Sequence, residues 1–349
     1  MSMSLVMKSV RTNGVDAVEV VEIPRPAPGP RDAVVRVRAC GICDTDLTFL
    51  HLGGLPEHDR SGAAPRPIAL GHEPVGEVVD YGCEVRGLAV GDRVVINPRS
   101  APTGVIGCGG ELGGMTEYLL VEDAVVGESI AVFPDTVPFD VASLAETMAV
   151  ARHCIDRSGA APTDKVVVFG AGPIGLGATI WLKLRGVAHV VVADAIPERL
   201  EKALAVGADA VLDPATEDVT ARLTELHGLS GNALGQPRPA TDVYIDAAGT
   251  PAAFNTVIAN ARWHAKLVLA AARKPSGRID LGGMLRSELT LIASHGCRGE
   301  IFEVTPELVR HQERFAKIIS YRMPYAEVQR AFELASTADA ADKVIVTLP

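Results

Sequence analysis

KVVVFGAGPIGLGATIWLKLRG, residues 165–186, decides the fold. A run of β-formers reads as a short buried strand. Gly170-Ala171-Gly172-Pro173-Ile174-Gly175 then makes a GxGxxG turn, and helix-like apolar text follows. The pattern alone is weak, but a strand before it and a helix after it supply the context of a dinucleotide fingerprint. Gly170 permits the tight turn, Gly172 lets backbone approach a pyrophosphate, and Gly175 lets helix and strand pack closely. The helix N-terminus then faces the anion. Residues 166–182 are apolar for almost a membrane span. Their glycines, Pro173 and the Val-rich start fit strand, turn and core helix better, so no transmembrane segment is expected.

Downstream the unit repeats. HVVVAD (189–194) is a strand, and PERLEKALAVGA (197–208) is a helix with Pro at its first turn. AVLD, DVYID (242–246), KLVLAA (266–271) and LTLIAS (289–294) bring the strands to six, with helical text between them. Such alternation predicts a parallel doubly wound sheet. Asp194 ends the second strand, where an acid hydrogen-bonds ribose hydroxyls and repels a 2′-phosphate, so the expected cofactor is NAD rather than NADP. GNALGQPRPAT (231–241) reads as a surface insertion.

The first 150 residues have a different texture. VEVVEI (18–23), AVVRVRA (33–39), EPVGEVVDYG (73–82) and DRVVINP (92–98) are strand-like, separated by turn clusters at 24–32 and 51–67. They suggest a folded-over barrel. After about residue 298 helical text returns, and KVIVTLP (343–349) reads as a closing strand.

A chain of 349 residues favours two domains. Its composition, 48% hydrophobic and 22% charged, is that of an ordinary soluble globular protein. The net charge of −10 is spread along the chain and argues against nucleic-acid or anionic-membrane partners. The N-terminus lacks the apolar core of a signal peptide. Six scattered cysteines (40, 43, 83, 108, 154, 297) fit free thiols in a reducing cytoplasm.

CGICDTD (40–46) sets two of those cysteines at CxxC spacing. A structural four-cysteine knuckle needs a second CxxC, which is absent. A thioredoxin-like pair should open a helix after a strand in a small βαβ domain, whereas this one lies in β-rich text. His72 and Glu73 follow about thirty residues later, and Glu146 stands in LAETMAVARHC (144–154). Cys, His and carboxylate together suit a catalytic zinc with about three protein ligands and one open position.

With these motifs the chain resembles the zinc-containing medium-chain dehydrogenase/reductase family, the alcohol, sorbitol and threonine dehydrogenase type. The likeness runs its whole length through PAPGP (26–30), GIC-x-TD, GHE (71–73), GDRV (91–94), GGMTEY (113–118), GAGPIG and KVIV (343–346). The resemblance implies a GroES-like catalytic β-barrel at 1–153 and 298–349, with an inserted Rossmann domain at 154–297. It makes Cys43, His72, Glu73 and Glu146 the metal ligands and Cys40 a packing residue. It implies Thr45 as the relay hydroxyl beside the catalytic Cys43, His72 and Glu73. Gly170, Gly172, Pro173, Ile174, Gly175, Asp194 and Arg199 become the cofactor residues. Asp46 is expected to orient His72, Lys343 to lie near the pyrophosphate or the zinc carboxylates, and His295 near the nicotinamide. Thr48, His51 or water would carry the proton outward.

The implied reaction is reversible, zinc-dependent hydride transfer between a secondary alcohol or polyol and NAD. The implied protein is a cytoplasmic homodimer or homotetramer with small-molecule substrates. Four departures stand out. Only Cys108 remains where the family's structural-zinc lobe carries four cysteines, so one catalytic zinc per chain and no structural zinc are expected. Asp44 replaces a glycine or arginine, Thr48 replaces a histidine, and Thr147-Met148 replace Pro-Leu after Glu146. The alternatives are a zinc-free quinone or enoyl reductase of the same superfamily, or a non-catalytic nucleotide-binding protein. The first lacks the Cys, His and Glu ligands; an intact ligand set with Thr45 beside it speaks against the second.

Overall fold

The computed structural model describes residues 6–56, 64–271, 279–297, 299–337 and 341–349. His58 and the rest of 57–63, inside the turn cluster at 51–67, lie outside the described residues. The chain divides into two compact units. One comprises Met1–Glu146, Ile301–Gln312 and Ile319–Pro349, the other Thr147–Glu300 and Glu313–Ile318.

In the first unit β1 (Val6–Thr12) and β2 (Val18–Pro24) form an antiparallel ribbon. There follow β3 (Ala33–Gly41), α1 (Asp44–Leu52), β4 (Pro74–Tyr81), β5 (Arg93–Ile96), β6 (Tyr118–Val121), β7 (Ile130–Val132) and α2 (Phe139–Ala142). α3 (Ala145–Ser158) begins at the last residues of this stretch.

The second unit holds β8 (Lys165–Phe169), α4 (Pro173–Leu184), β9 (His189–Ala193), α5 (Pro197–Ala205), β10 (Ala210–Leu212) and α6 (Val219–His227). It continues with β11 (Leu229–Gly231), β12 (Pro237–Pro239), β13 (Val243–Asp246), α7 (Pro251–Asn260), β14 (Lys266–Leu269), α8 (Leu281–Ser287) and β15 (Thr290–Ala293). After α9 (Glu300–Arg310) and α10 (Gln312–Ala316), the chain supplies β16 (Tyr321–Pro324), α11 (Val328–Ser336) and β17 (Val344–Thr347) to the first unit.

The larger sheet of the first unit runs β16-β17-β3-β4-β5-β7, with β6 also paired to β3. β3 is long and mostly buried, so its neighbours close a core of Val35, Val37, Val78, Ile96, Leu119 and Ile130. β17 lies antiparallel to β3, with Ile345 opposite Gly41 and Val346 opposite Cys40. That register sets Lys343 beside the Gly41–Ile42 end of β3.

The CxxC segment differs from the β-rich reading. β3 ends at Gly41 and Cys43 caps a helix, with extended backbone (φ −114°, ψ 157°). The carboxylate of Asp46 accepts the Cys43 N–H at 3.0 Å, a capping box with cysteine in the place usual for Ser or Thr. Only Asp46 and Leu50 of α1 are buried, so the helix has no apolar stripe for periodicity to reveal.

The second unit has the predicted six parallel strands, in the order β10-β9-β8-β13-β14-β15. β8 is buried from Val166 onward, as a strand covered on both faces must be. α4 starts with Pro173 at its first turn, and Gly175 through Leu182 are all buried, which accounts for its uniform hydrophobicity. No helix among the described residues is long and apolar enough to cross a membrane. The stretch expected as a surface insertion makes the antiparallel hairpin β11–β12.

Gly170 has φ +93°, in the left-handed region, and a Cβ on Gly175 would overlap the Gly170 carbonyl oxygen. Backbone there has nowhere to move, so Gly175→Ala should cost about 3 kcal/mol, the upper end of overpacking penalties. Urea denaturation monitored by fluorescence, beside NAD titration, checks it; a cost within error would mean that the turn relaxes freely.

Candidate metal centre and cofactor site

Donor atoms of Cys43, His72 and Glu73 all lie within 4.8 Å of one another. Three segments bring them together: the N-cap of α1, and the turn Gly71-His72-Glu73 that leads into β4, both set against the end of β3. Gly71 has φ +89°, and a Cβ there would sit 2.9 Å from Cys40 Sγ and from the Met115 nitrogen. The turn therefore needs glycine.

Asp46 ties the two ligand-bearing segments. It is fully buried and accepts Cys43 N–H through Oδ2 and Gly71 N–H, at 2.9 Å, through Oδ1. The same Oδ1 stands 3.5 Å from His72 Nδ1. Burial alone would raise the Asp46 carboxyl, but the His72 imidazole and the two backbone donors outweigh it and hold it below the usual carboxylate range. For His72, burial disfavours the imidazolium, yet Asp46 and then Cys43 carry its pKa well above the ordinary value. A proton and a metal thus compete for this ring, as for any histidine ligand.

Glu73 is buried, and its Oε1 accepts Lys343 Nζ at 2.6 Å. Lys343 is 2% exposed and also donates to Ile42 O at 3.0 Å. Burial pulls the ammonium down, but Glu73 outweighs it and the Lys343 pKa ends above normal. This pair exists because residue 41 has no side chain: a Cβ there would overlap Glu73 Oε2. The sequence reading gave Gly41 no role, although a glycine ending a β-branched strand is the signal of a close approach.

Glu146, near the start of α3, is outside the trio but feels it. Burial by surrounding protein raises its carboxyl to about 7, with His72 opposing and Glu73 reinforcing the shift. Thr45 is exposed, and its Oγ1 accepts a weak contact from Cys43 Sγ at 3.9 Å. Thr48 donates its hydroxyl to Asp44 O, and His51 Nδ1 pairs with Asp16 Oδ1 at 2.5 Å. Cys40 is wholly buried, and burial pushes its thiol far up, away from thiolate chemistry.

The donor set fits zinc. Thiolate, imidazole and carboxylate are its ordinary ligands, and ligands of one tetrahedral ion lie about 3–4 Å apart, inside the observed span. Cys43, His72 and Glu73 would hold the ion, leaving a fourth position for substrate.

In the second unit the GxGxxG turn joins β8 to α4, with Gly172 as N-cap and open space where its side chain would be. Pro173 and Ile174 are half-buried at the helix mouth. Asp194 follows β9. Its Oδ2 accepts Ala171 N–H at 2.7 Å, its Oδ1 accepts Ile196 N–H at 3.0 Å, and Arg199 Nη1 stands 3.9 Å away. One carboxylate thus fixes the glycine-rich turn to the next strand. His295 is exposed after β15.

Residues 29–129 match the alcohol dehydrogenase GroES-like domain and residues 173–312 the zinc-binding dehydrogenase domain. An (R,R)-butanediol dehydrogenase of Neisseria gonorrhoeae is 30% identical over 307 residues, 81% of this chain and 82% of that protein. The chain belongs to the zinc-containing medium-chain dehydrogenase/reductase family. The crystal structure of 2R,3R-butanediol dehydrogenase from Bacillus subtilis aligns with a TM-score of 0.84 at 26% identity, over 98% of this chain and 99% of that one. A zinc-binding dehydrogenase from Sinorhizobium meliloti, bound to NADP, aligns at 0.81 with 26% identity, over 99% of this chain and 100% of that one.

Family membership makes the chain an oxidoreductase of small-molecule alcohols that uses zinc and a nicotinamide dinucleotide. It joins a GroES-like domain to a Rossmann domain, as the motifs implied. The family match and the assembled donor set go against a zinc-free reductase.

Proposed function

We propose that this family member oxidises a secondary alcohol or polyol to the ketone, reversibly, with NAD as hydride acceptor and one zinc per chain. The observation that carries this reading is the meeting of Cys43, His72 and Glu73 within 4.8 Å. Zinc, when bound, supplies Lewis acidity toward an alcohol oxygen, and the nicotinamide accepts the hydride.

The chain's own residues do the rest. Cys43, His72 and Glu73 hold the ion, and Asp46 fixes the first two by tying their backbones together. Glu146 is the further carboxylate facing the site, able to exchange with Glu73. Thr45 is the relay: its exposed Oγ1 accepts the proton of the substrate hydroxyl and passes its own toward water. Thr48 and His51, both exposed on α1, are the outward steps.

Preference for NAD rests on Asp194, whose negative charge faces a 2′-phosphate unfavourably. Asp194→Ser should raise KM for NAD about tenfold or more and narrow the gap to NADP, since it removes both the ribose acceptor and the anchor of Ala171 N–H. Initial rates with each cofactor decide it, and an unchanged preference removes Asp194 from that role.

We read the oligomer from β15, one of the two outer strands of the six-stranded sheet, where Thr290, Leu291 and Ala293 are exposed. An uncovered apolar edge suits pairing with a second copy. Leu291→Lys should then release monomers in light scattering; an unaltered mass would place the contact elsewhere. All six cysteines are free, in keeping with a cytoplasmic protein.

The test of the whole reading is NADH formation from NAD across secondary alcohols, diols, sugar alcohols and hydroxy acids, with and without a zinc chelator. Chelator-sensitive turnover on one group is expected. Silence in protein that still binds NAD would overturn it.

A further inference from the structure

His227 ends α6, and it is only 1% exposed. Its Nδ1 lies 2.7 Å from Thr241 Oγ1, while Nε2 is buried and meets no hydrogen-bond partner among the described residues. The ring of His189, the first residue of β9, stands 5.0 Å away between centroids, the two planes crossing at 78°. Lys165, the neighbour of His189 across the β8–β9 ladder, donates its ammonium to His227 O. These groups gather where β8 and β9 begin, at the end of the sheet away from the Gly170–Gly175 turn.

Neutral imidazole suits this place and imidazolium does not. Both nitrogens of the charged ring must donate. Thr241 Oγ1 can accept at Nδ1, but Nε2 would carry a buried proton with no acceptor, beside an ammonium and a second imidazole. Of the groups facing the ring from neighbouring strands, Lys165 and His189 oppose the charge and Asp242 favours it. Asp242 is already engaged by Lys165 N–H, at 2.7 Å, and by the Arg262 guanidinium. β12, packed on α6, carries one further cation, Arg238, and β10 carries no charged residue.

The ring holds the junction between α6 and the β11–β12 hairpin. Gly228 follows it directly, its N–H bonded to Thr224 O at 2.8 Å and its O accepting Ala240 N–H at 2.9 Å. Gly231 O accepts Trp263 N–H at 2.9 Å, which ties the hairpin to the turn before β14.

We propose that His227, packed against His189, is an acid-operated latch: when it takes a proton, the end of α6 and the β11–β12 hairpin leave the sheet while the rest of the second unit stays folded. Burial, then His189 and Lys165, lower the His227 pKa to about 4, against 6.5 for an unperturbed imidazole. The opened form therefore takes the proton first. Closure has its full strength above about pH 6.5 and weakens as pH falls toward about 4.

Hydrogen exchange of the full chain, read by mass spectrometry and corrected for the pH dependence of intrinsic rates, tests the latch. Between pH 7.5 and 5.0 the opening constant across 219–240 should rise at least about tenfold, while that of α4 and β8 stays within about twofold. In His227→Gln, whose amide takes no proton, the rise should vanish. Exchange indifferent to pH, a rise shared equally by α4, or a rise that persists in His227→Gln overturns the proposal. An NMR titration of the histidine rings in the unmutated chain needs no variant. The His227 ring should stay neutral at pH 5.5, and a ring that charges near pH 6.5 with α6 still protected overturns the proposal. Either failure leaves the zinc reading untouched, since none of these residues belongs to it.

Discussion

Cys43→Ser should abolish turnover and metal retention while leaving NAD binding measurable. The serine oxygen is a poor replacement for a thiolate at a zinc ion, and the variant would keep only His72 and carboxylates as donors. Lewis-acid stabilisation is worth several kcal/mol. At about 1.4 kcal/mol per decade its loss lowers kcat/KM by about a thousandfold or more. The Asp46–Cys43 capping hydrogen bond uses the backbone N–H, so α1 and the Gly71 turn keep their anchor in the variant. The cofactor turn belongs to the other compact unit, which the substitution does not touch. Three measurements decide: metal content by mass spectrometry, NADH binding by fluorescence, and rate. Retained activity with retained zinc would show that another residue holds the ion.

The second large effect is on stability. Lys343→Met takes the ammonium from Glu73 in a place where both side chains are nearly inaccessible, 2% and 0% exposed. Breaking a buried pair from one side costs about 3–5 kcal/mol, because the remaining charge keeps its desolvation penalty. The metal-free protein should show this in urea denaturation. Adding Glu73→Gln should restore most of the loss, since an amide carries no charge to strand. If the double variant is no more stable than the single one, Lys343 acts through packing or through Ile42 O instead.

Much of the second unit was legible because β8 and β9 carry unbroken valine runs and α4, α5 and α7 carry Pro at their first turns. KVVVF and HVVVAD need burial on both faces, and GAGPIG can serve only where a strand meets a helix. The ligand types were legible too, since Cys, His and Glu at those spacings have few other uses.

Hidden from the sequence was whatever depends on distant pairing. Nothing in DTDLTFLHL announces a helix, because its ends are set by a cap and its faces are mostly wet. Gly41 gains its meaning from Glu73 and Lys343, which lie 270 residues apart. Gly107, in the remnant of a lost zinc lobe, likewise gains its meaning only from the Gly71 carbonyl it lies against.

The position of β17 has a consequence for synthesis on the ribosome. The ligand-bearing segments of the first unit are made early, but the strand that lies between β16 and β3 is Val344–Thr347. Until it emerges, the Ala39–Gly41 end of β3 lacks its partner beyond the Ala33–Arg36 stretch that β6 covers, and Glu73 has not met Lys343. The Rossmann sheet is contiguous from β8 to β15 and can fold while the barrel waits. A nascent chain therefore carries a finished nucleotide-binding unit beside an unfinished metal-binding one. That long-range closure is slow relative to local contacts, and it leaves the Ala39–Gly41 end of β3 as the surface on which a chaperone or an aggregating neighbour would act.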